Sequence, residues 1–421
     1  MIAPYFPPRK RVGSLRPFRF ARHLRDFDYE PAVVFIEDKK SRLSEREEES
    51  LRGIALIPVK TPFDNTANSG SSVQRSSSPK KSGKSDSLID RITPMDTWWP
   101  LFRLRKKKIL KQVKAFNPDL IWSTADPWSS HWLAEKISKK LNLPWISDYR
   151  DPWTLCNIRG ANKPEWTKSY EKKYEKRFIR NADRIIFTAE ATSEKYRSEY
   201  QNHAEKIRTI YNSFDEDYFT GETSVKRDQN PDLLYLYFFG KFRQLSPVKP
   251  VIDILKALRE LDDQILSKIR IVTNEPLTDV QRSGVEKAGL LENFEIEKPV
   301  LYEESRAYLQ QADVLLLTTS AKRDDIIPAK LWDYMAAGRP VLAVSSNAEV
   351  HRLVKHTPEG SSFYPDQATE AAKKMAELWK AKQSGKVGDQ EDYTPRAQFG
   401  SRETTRQLAA IFDEVTGASN G

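Results

Sequence analysis

Short apolar runs alternate along the chain with longer segments whose apolar residues recur at helical spacing. This alternation is typical of βαβ units, so it predicts an α/β fold with parallel sheets. The predicted strands of the first half are 2–6, 32–36, 54–59, 119–123, 144–148 and 184–189. Those of the second half are 233–240, 269–272, 294–297, 313–319 and 340–344, with a helix over about 250–261. The pattern predicts two doubly wound halves that face each other.

Two polar segments interrupt the alternation. Residues 65–90 are rich in Ser, Gly and Lys, and they cannot bury enough apolar surface to offset the entropy lost on ordering. We predict a flexible insertion there. Residues 215–232 are polar and turn-rich, which predicts an interdomain linker. We expect domains over 1–215 and 233–395, followed by a C-terminal helix within 396–421 that crosses back onto the first domain.

Composition and charge narrow the class of protein. Lys and Arg number 69 against 59 Asp and Glu, and the net charge of +10 favours phosphate-bearing partners. A single cysteine, Cys156, excludes an intrachain disulfide and a cysteine-rich metal site. No apolar run approaches the ~20 residues that span a bilayer, and the first residues lack the apolar region of a signal peptide. We therefore expect a cytoplasmic protein.

A basic aromatic segment lies at 98–116. Trp98, Trp99 and Phe102 precede a dense run of Lys and Arg. One interpretation is peripheral contact with an anionic membrane, because Trp anchors at the interface and each cation adds about 1 kcal/mol. The other is an ordinary helix packed on a sheet, since Ile109 and Val113 lie at helical spacing.

The junctions between strands and helices are the places to look for a ligand. Anions bind open α/β sheets beyond the carboxyl ends of the strands, close to helix N-termini. Gly13 and Ser14 follow the predicted first strand and permit a close approach of the backbone, with Arg16 nearby. An ordinary loop is the alternative for this segment.

A second junction follows the predicted strand 233–240. Gly240 ends that strand, and Lys241 and Arg243 come just after it. Fixed cations at this point would stabilise a diphosphate that gains charge as it leaves. Solvated surface cations are the alternative interpretation.

The most informative segment is 324–342, DDIIPAKLWDYMAAGRPVL. Pro328 suits the start of a helix, which would place Lys330 and Asp333 about one turn apart, close enough to share a ligand. Asp325 precedes Asp333 with seven residues between them. Gly338 suits a C-terminal helix cap. The segment predicts a site for a nucleotide-activated sugar.

Several stretches together resemble family 4 glycosyltransferases of the GT-B fold, and the resemblance covers nearly the whole chain. Besides PAKLWDYMAAGRPVL, the matching stretches are APYFPPRKRVGSLRPFRFARHL, PDLIWSTADPWSSHWLA, PWISDYRDPW, NADRIIFTAEATSEKY, IYNSFDEDYF and YFFGKF. The resemblance implies two Rossmann-like domains facing each other across a cleft, with the acceptor on the first and the donor on the second.

The resemblance also implies a reaction and its partners. The donor would be a nucleotide sugar, such as a UDP- or GDP-sugar, and the acceptor a glycan or a lipid-linked acceptor. Transfer would proceed with retention and without a metal or other cofactor. Because no second carboxylate is evident as a nucleophile, our hypothesis is that the departing phosphate takes the acceptor proton. Surface polysaccharide or glycoconjugate biosynthesis would be the setting.

The family's donor-binding acids fall on Asp325, near the transferred sugar, and on Asp333, at the ribose hydroxyls. Both positions are usually Glu, and here both hold the shorter Asp. The basic pair for the diphosphate falls on Lys241 and Arg243, with Lys330 as a second contributor. Gly240 and Pro328 complete the predicted donor site, and Gly13 with Ser14 matches the family's glycine loop at the phosphates.

The first half supplies the remaining candidates. His131 is predicted to begin a helix after a strand and to face the cleft as a catalytic residue, although a structural histidine is the alternative. Asp148, Arg150 and Asp151 follow a strand end and, with Arg16, are predicted to contact the acceptor. An internal ion pair between Arg150 and an aspartate is the alternative for that group.

Two rival functions are consistent with parts of the sequence. Sugar-nucleotide epimerases share this two-domain architecture, and the positive charge alone would suit a nucleic-acid-binding protein, although the chain carries no recognisable nucleic-acid module. The acidic run 215–217 resembles a metal site, but we interpret it as a linker turn, so no metal ligand is predicted.

Overall fold

The computed structural model of the chain describes residues 1–9, 12–38, 40–61, 93, 95–156, 158, 163–219, 229–300, 302–385 and 394–417. The chain divides into two compact units. The first comprises Met1–Ser213 and Ser401–Gly421, and the second comprises Phe214–Gly400. The whole insertion predicted at 65–90 and part of the linker predicted at 215–232 lie outside the described residues.

The first unit alternates parallel strands and helices. Its strands are β1 (Ala32–Ile36), β2 (Ala55–Val59), β3 (Ile121–Thr124), β4 (Trp145–Arg150), β5 (Arg184–Phe187) and β6 (Ile207–Thr209). Its α-helices are α1 (Val12–His23), α2 (Glu45–Ser50), α3 (Trp99–Phe116), α4 (Ser129–Leu141), α5 (Glu165–Asn181), α6 (Glu190–Glu199) and α15 (Ser401–Thr416). Short 3-10 turns are found at Leu24–Phe27 and Gln201–Lys206.

The sheet of the first unit is assembled around the N-terminus. Strands β3, β4, β5 and β6 pair in that order, all parallel, and β1 pairs with β2. Ile2 bridges Val34 on one side and Ser123 on the other, so it joins the two groups of strands. The strand predicted at 2–6 is limited to this bridge, because Pro4 has no N–H to donate and Pro7 and Pro8 end the run.

Helices pack on both faces of the first sheet, and an aromatic core lies on each face. One core includes Trp128, Trp145, Tyr149, Trp153 and Phe178. The other includes Phe20 and Trp122 together with Leu408, Ile411 and Phe412 of α15. Each such fully buried side chain stabilises the fold by roughly 1.5–3 kcal/mol. The C-terminal helix is thus part of the first unit.

The second unit repeats the alternation. Its strands are β7 (Leu234–Phe238), β8 (Ile269–Thr273), β9 (Phe294–Ile296), β10 (Val314–Thr318), β11 (Val341–Val344) and β12 (Ser361–Phe363). Its α-helices are α7 (Glu216–Phe219), α8 (Lys249–Leu261), α9 (Asp263–Leu266), α10 (Asp279–Lys287), α11 (Tyr302–Gln311), α12 (Lys330–Ala337), α13 (Ala348–Val354) and α14 (Ala368–Gln383). Short 3-10 turns are found at Leu291–Asn293, Ala321–Arg323 and Thr394–Phe399.

The second sheet is parallel and has the order β12-β11-β10-β7-β8-β9. The chain runs outward in one direction through β8 and β9, then returns to the other side of β7 as β10. This reversal makes the carboxyl ends of β7 and β10 a topological switch point, which is where ligands bind in open α/β sheets. Both units therefore have the Rossmann-like form that the sequence predicts.

Two details differ from the sequence interpretation. Strands β6 and β12 were not predicted, because each has three residues of which only one is apolar. The acidic run 215–217 is not a simple linker turn, since Glu216 begins α7 and the Asp215 carboxylate accepts a hydrogen bond from the Tyr218 N–H. No helix in the described part of the chain has the length and apolar character required to cross a membrane.

Candidate functional site

The loop after β7 forms the floor of the candidate donor site in the second unit. Gly240 has a φ of 95°, a conformation that glycine adopts without strain. The Thr273 hydroxyl donates to the Gly240 carbonyl at 2.6 Å, and the Gly240 N–H donates to the Asn274 side chain. The Tyr334 hydroxyl accepts from the Phe239 N–H at 3.1 Å and donates to a carbonyl of β10. Contacts from β8 and α12 thus fix the loop.

Lys330 brings a buried cation to this loop. Its Nζ lies 3.5 Å from the centroid of the Phe238 ring, a cation–π contact. A Cβ at Gly240 would lie 3.6 Å from the same Nζ, so the absent side chain keeps the space beside the ammonium open. Although part of the residue is exposed, its Nζ is buried and makes no hydrogen bond in the described part of the chain. An unpaired ammonium beside an open glycine is suited to an anionic group of a ligand.

The pKa of Lys330 is lowered to about 7 by burial, and to a smaller extent by the positive charge of Arg243. Arg243 is exposed and stands in a turn where its backbone exchanges two hydrogen bonds with Ser246. Lys241 is partly buried, and neither it nor Arg243 has a side-chain hydrogen bond or ion pair with any described residue. These cations remain available to a phosphate.

The two predicted carboxylates lie on either side of the start of α12. Asp333 is in its first turn, one turn after Lys330, as the sequence spacing predicts. Asp325 is partly buried, and its carboxylate lies 3.5 Å from the Arg323 Nε. The helix begins at Lys330 rather than at Pro328, whose carbonyl accepts from the Leu331 N–H at 3.0 Å.

Gly338 caps the C-terminus of α12 in the left-handed region, with a φ of 68°. This agrees with its predicted role as a helix cap. A Cβ at this position would also come within 2.6 Å of the Arg396 guanidinium. The backbone conformation therefore favours glycine, and a larger residue would also have to displace the end of the Arg396 side chain.

In the first unit, Arg150 links two loops: the predicted phosphate loop at Gly13 and the loop that follows β3. Its guanidinium donates to the Gly13 carbonyl at 3.0 Å and to the Asp126 carbonyl at 2.9 Å, and it also contacts the Ala125 carbonyl. A Cβ at Gly13 would lie 2.9 Å from the Arg150 Nη1, so a larger residue would have to displace the end of that side chain. Ser14 beside it is buried.

Asp148 and Arg16 form a buried ion pair instead of an open acceptor site. The Arg16 Nε and Nη2 donate to the two carboxylate oxygens at 2.9 and 3.1 Å. The Thr124 hydroxyl donates to the same carboxylate at 3.1 Å, and neither charged side chain is more than 6% exposed. The alternative of an internal ion pair therefore holds twice. Asp148 pairs with Arg16, and Arg150 pairs with Asp126, whose Oδ1 lies 3.4 Å from the Arg150 Nη2. Asp151, at the end of β4, remains partly exposed.

His131 lies near the start of α4, as predicted, but its side chain does not face an open surface. Its residue is 0% exposed, and its ring lies among Trp128, Trp145 and Tyr149. Burial, with a smaller effect of Arg150, lowers the pKa of the imidazole to about 3. The Nδ1 lies 2.9 Å from the Ser123 hydroxyl. A neutral ring packed in a core cannot reach an acceptor in this arrangement, which matches the structural alternative.

Two family models match the chain, one for each unit. Residues 17–218 match Glycosyltransferase Family 4, and residues 234–381 match Glycosyl transferases group 1. The chain belongs to the family 4-like glycosyltransferases of the GT-B fold. It is thus a glycosyltransferase of the class that uses nucleotide-sugar donors.

Solved structures agree with this glycosyltransferase in fold. A glycosyltransferase from Rickettsia africae has 12% identity and a TM-score of 0.57, with 97% of this chain and 96% of that chain covered. HepE of Anabaena, in complex with UDP and glucose, has 15% identity, a TM-score of 0.57 and 95% coverage of both chains. Sucrose-phosphate synthase from Thermosynechococcus elongatus has 14% identity and a TM-score of 0.60, covering 95% of this chain and 92% of that one.

A UDP-N-acetylglucosamine 2-epimerase from Listeria monocytogenes, described as putative in its structure's name, shares the fold as well. It has 13% identity and a TM-score of 0.53, covering 96% of this chain and 95% of that chain. No curated protein matches the glycosyltransferase. The likeness in fold therefore extends to both reaction classes, and the family models favour glycosyl transfer.

The candidate donor site includes residues that sequence reasoning missed. Phe238, Thr273, Asn274 and Tyr334 all contact the Gly240 loop or the Lys330 ammonium. Asn274 directly follows β8, so its place at a strand end was the only signal in the sequence. In the described part of the glycosyltransferase, no group of three or more His, Cys, Asp or Glu side chains is arranged to hold a metal ion.

Proposed function

We propose that this glycosyltransferase transfers a sugar from a UDP- or GDP-sugar to a glycan or lipid-linked acceptor with retention of configuration. The observation that carries the proposal is the buried, unpaired ammonium of Lys330 beside Gly240, at the switch point of the second sheet. A buried ammonium without a partner is costly, so a residue of this kind is retained where a ligand supplies the negative charge. The complexes of HepE with UDP and with UDP-glucose support a nucleotide donor.

The donor would bind through charged side chains of the second unit. Lys330, Lys241 and Arg243 would contact the diphosphate, and the backbone at Gly240 would lie against it. Asp333 would accept hydrogen bonds from the ribose hydroxyls, since it stands one helical turn from Lys330. Asp325 would contact the hydroxyls of the transferred sugar, with Arg323 orienting its carboxylate.

The same cations would lower the barrier to transfer. The bond between the anomeric carbon and the phosphate oxygen breaks, so the leaving diphosphate gains negative charge in the transition state. A fixed cation favours that state over the ground state, which is the condition for catalysis. The acceptor oxygen forms the new bond on the same face of the sugar, and its proton passes to the departing phosphate oxygen. This step uses no protein nucleophile and no metal ion.

In the first unit we propose that some of the candidate residues contact the ligand and that the others only stabilise the structure around it. Asp151 and Arg150 would contact the acceptor or the phosphates, because they lie at the carboxyl end of β4 and keep some exposure. Asp148 and Arg16 would hold the strand ends in place through their buried ion pair. His131 would act only by packing.

A thermal-shift screen of UDP-, GDP- and ADP-sugars tests the donor site. We expect one of these donors to stabilise the wild type, and we expect Asp333→Ala to lose most of that stabilisation. Asp366→Ala is the matched control, since Asp366 is an exposed carboxylate of the same unit. If no donor stabilises the wild type, or if both variants respond alike, the proposed donor site is wrong.

The reaction itself is tested with the donor found in that screen. Transfer to an acceptor, followed by NMR of the anomeric proton of the product, should show the configuration of the donor. An inverted product would exclude the proposed mechanism. Turnover of the donor to an epimer in the absence of any acceptor would favour the epimerase reaction.

We also propose that α3 holds the enzyme at the inner face of the cytoplasmic membrane. One side of this helix packs Phe102, Ile109 and Val113 in the core, and the other side is basic. Leu104 is 74% exposed among these cations, so an apolar side chain is available to enter the headgroup region. The two interpretations of segment 98–116 are compatible, because a packed helix can present a basic face.

Co-sedimentation with phosphatidylglycerol vesicles tests this contact. Lys107→Gln/Lys111→Gln should reduce the bound fraction, because each exposed cation contributes about 1 kcal/mol near an anionic surface. Lys373→Gln/Lys380→Gln, on the exposed side of α14, is the control and should bind like the wild type. Equal binding by both variants would rule out α3 as the contact.

A further inference from the structure

A wide groove lies on the first unit between α5 and the segment 199–203, and we refer to it as the α5 groove. Its cavity volume is about 1010 Å³. Volumes of this size are at the upper end of those that hold small-molecule ligands, so a chain of several sugar units can enter. The residues that matter most along it are Tyr170, Lys173, Tyr174, Lys176, Arg180 and His203.

The α5 groove is strongly positive. Lys173, Lys176 and Arg180 are three and four residues apart, so they line one face of the helix, and all are exposed. Lys173 and Lys176 form no ion pair or hydrogen bond through their side chains with any described residue. Their positive charge is thus available to a ligand.

The other charges along the groove are already engaged. Lys172 lies 3.6 Å from the Glu199 carboxylate, and Arg177 donates to Glu135 at 2.8 Å. Glu199 is the one acidic residue in the lining. The available charge of the groove is therefore positive, which favours an anionic ligand.

Aromatic and polar side chains are interleaved with these cations. The Tyr170 and Tyr174 rings lie 5.0 Å apart at 61°, and Tyr170 is 38% exposed. Gln201, Asn202 and His203 face the groove from the other wall. Rings offer an apolar surface to the C–H face of a sugar, while amides and hydroxyls pair with its hydroxyls.

The α5 groove lies away from the edge of the sheet where the candidate acceptor residues stand. Helix α5 ends at Asn181, just before β5 begins, and the turn Gln201–Lys206 leads directly into β6. Those are the amino-terminal ends of the strands. Asp148–Arg150 lie at the opposite, carboxyl end of β4. A ligand in the groove is therefore not at the reacting position.

We propose that the α5 groove binds an anionic oligosaccharide, such as a chain of uronic acids, and tethers it to the enzyme outside the donor and acceptor sites. The choice of a glycan among polyanions rests on the proposed glycan acceptor. The positive charge, the paired tyrosines and the amides together suit a chain that carries both carboxylates and hydroxyls. Tethering would raise the concentration of a polymeric acceptor near the enzyme without taking part in the reaction.

Binding is measured by fluorescence anisotropy at low ionic strength, without donor, on the full chain. The probe is a labelled oligogalacturonate, and a labelled dextran oligomer of equal length is the neutral comparison. The Lys173→Gln/Lys176→Gln variant should bind the uronate roughly two- to thirtyfold more weakly, the range expected for two exposed charge contacts. The Lys373→Gln/Lys380→Gln variant is the matched control and should bind like the wild type.

Tyr170→Leu keeps every charge of the groove and should also weaken uronate binding at least twofold. Circular dichroism confirms that each variant is folded. The proposal is overturned if the wild type does not bind the uronate, if it binds dextran equally well, or if both double variants bind alike. It is also overturned if single-stranded DNA or phosphatidylglycerol vesicles bind more tightly than the uronate and depend on Lys173 and Lys176.

Failure of the tether is distinguishable from failure of the proposed acceptor. A monosaccharide or short acceptor does not extend to the α5 groove, so its rate of transfer should be the same for the wild type and for Lys173→Gln/Lys176→Gln. Absence of transfer to every glycan would contradict the acceptor assignment and leave the binding result to be judged separately.

Discussion

Replacing Lys330 with Met should stabilise the unliganded protein while it weakens donor binding. Burial and the nearby Arg243 lower the pKa of the Lys330 ammonium from 10.5 to about 7. At about 1.36 kcal/mol per pKa unit, this shift corresponds to a cost of at most about 5 kcal/mol for the charged form. Part of that cost is offset by the contact with Phe238, which Met would replace with ordinary packing. We expect a gain of about 1–3 kcal/mol in the free energy of unfolding at pH 6.

The gain should depend on pH in a defined direction. The native pKa lies below that of the unfolded chain, so between about pH 7 and pH 10.5 the unfolded state binds more protons. The stability of the wild type should therefore rise with pH across this window, through Lys330. Below about pH 7, Lys330 is protonated in both the folded and the unfolded state, so the folded protein bears the full cost of the buried charge. The advantage of Lys330→Met over the wild type should be largest at about pH 6 and should shrink toward about pH 9.5.

Urea unfolding at those two pH values measures the stability difference, and a titration with UDP measures the binding. A charged hydrogen bond to phosphate contributes about 1.5–3 kcal/mol, so Lys330→Met should bind UDP roughly tenfold to 150-fold more weakly. Lys287→Met, at an exposed lysine of α10, should change neither quantity. The reasoning is refuted if Lys330→Met is less stable than the wild type at pH 6, or if it binds UDP as tightly.

Three other substitutions distinguish residues with a structural role from residues that act in binding or catalysis. His131→Phe should keep the rate of transfer and lose about 1 kcal/mol of stability with the contact to Ser123, and a folded variant without activity would restore a catalytic role. Asp148→Asn should cost about 3–5 kcal/mol in urea unfolding, since it leaves the buried charge of Arg16 without its partner, and a loss below 1 kcal/mol would contradict the structural role. Gly240→Ala should strain the backbone by about 1–3 kcal/mol and raise the KM for the donor, whereas an unchanged KM would mean that the loop does not contact it.

The sequence predicts much of the fold because the signals are local. A run such as 314–318 is apolar throughout and is buried on both faces of its sheet, so its pattern shows its place directly. The strands β6 and β12 have one apolar residue each, so they show no alternation, whereas the equally short β9 has Phe294 and Ile296 on either side of a glutamate and was predicted. The N-terminal run is apolar as well, but its prolines limit the pairing to the bridge at Ile2.

The candidate site is predictable only where its residues are close together in the sequence. Lys330 and Asp333 share a helix, so their spacing places them together without further information. Tyr334 and Asn274 reach the Gly240 loop from elements that are distant in sequence, and no spacing rule brings them there. Asp148 shows the opposite error, because a charged residue at a strand end looks functional until its partner Arg16, 132 residues away, is seen.

Burial and pairing together distinguish the two kinds of charged residue in this enzyme. Arg16 and Asp148 are both buried, yet each neutralises the other, so the pair requires no ligand. The Lys330 ammonium is buried and no carboxylate approaches it in the part of the chain that the structure describes. A charge in that condition costs stability, and only a ligand of opposite charge can recover the cost. The phosphate of the proposed donor would be such a ligand, so the charge that costs the second unit stability is also the one that the proposed function uses.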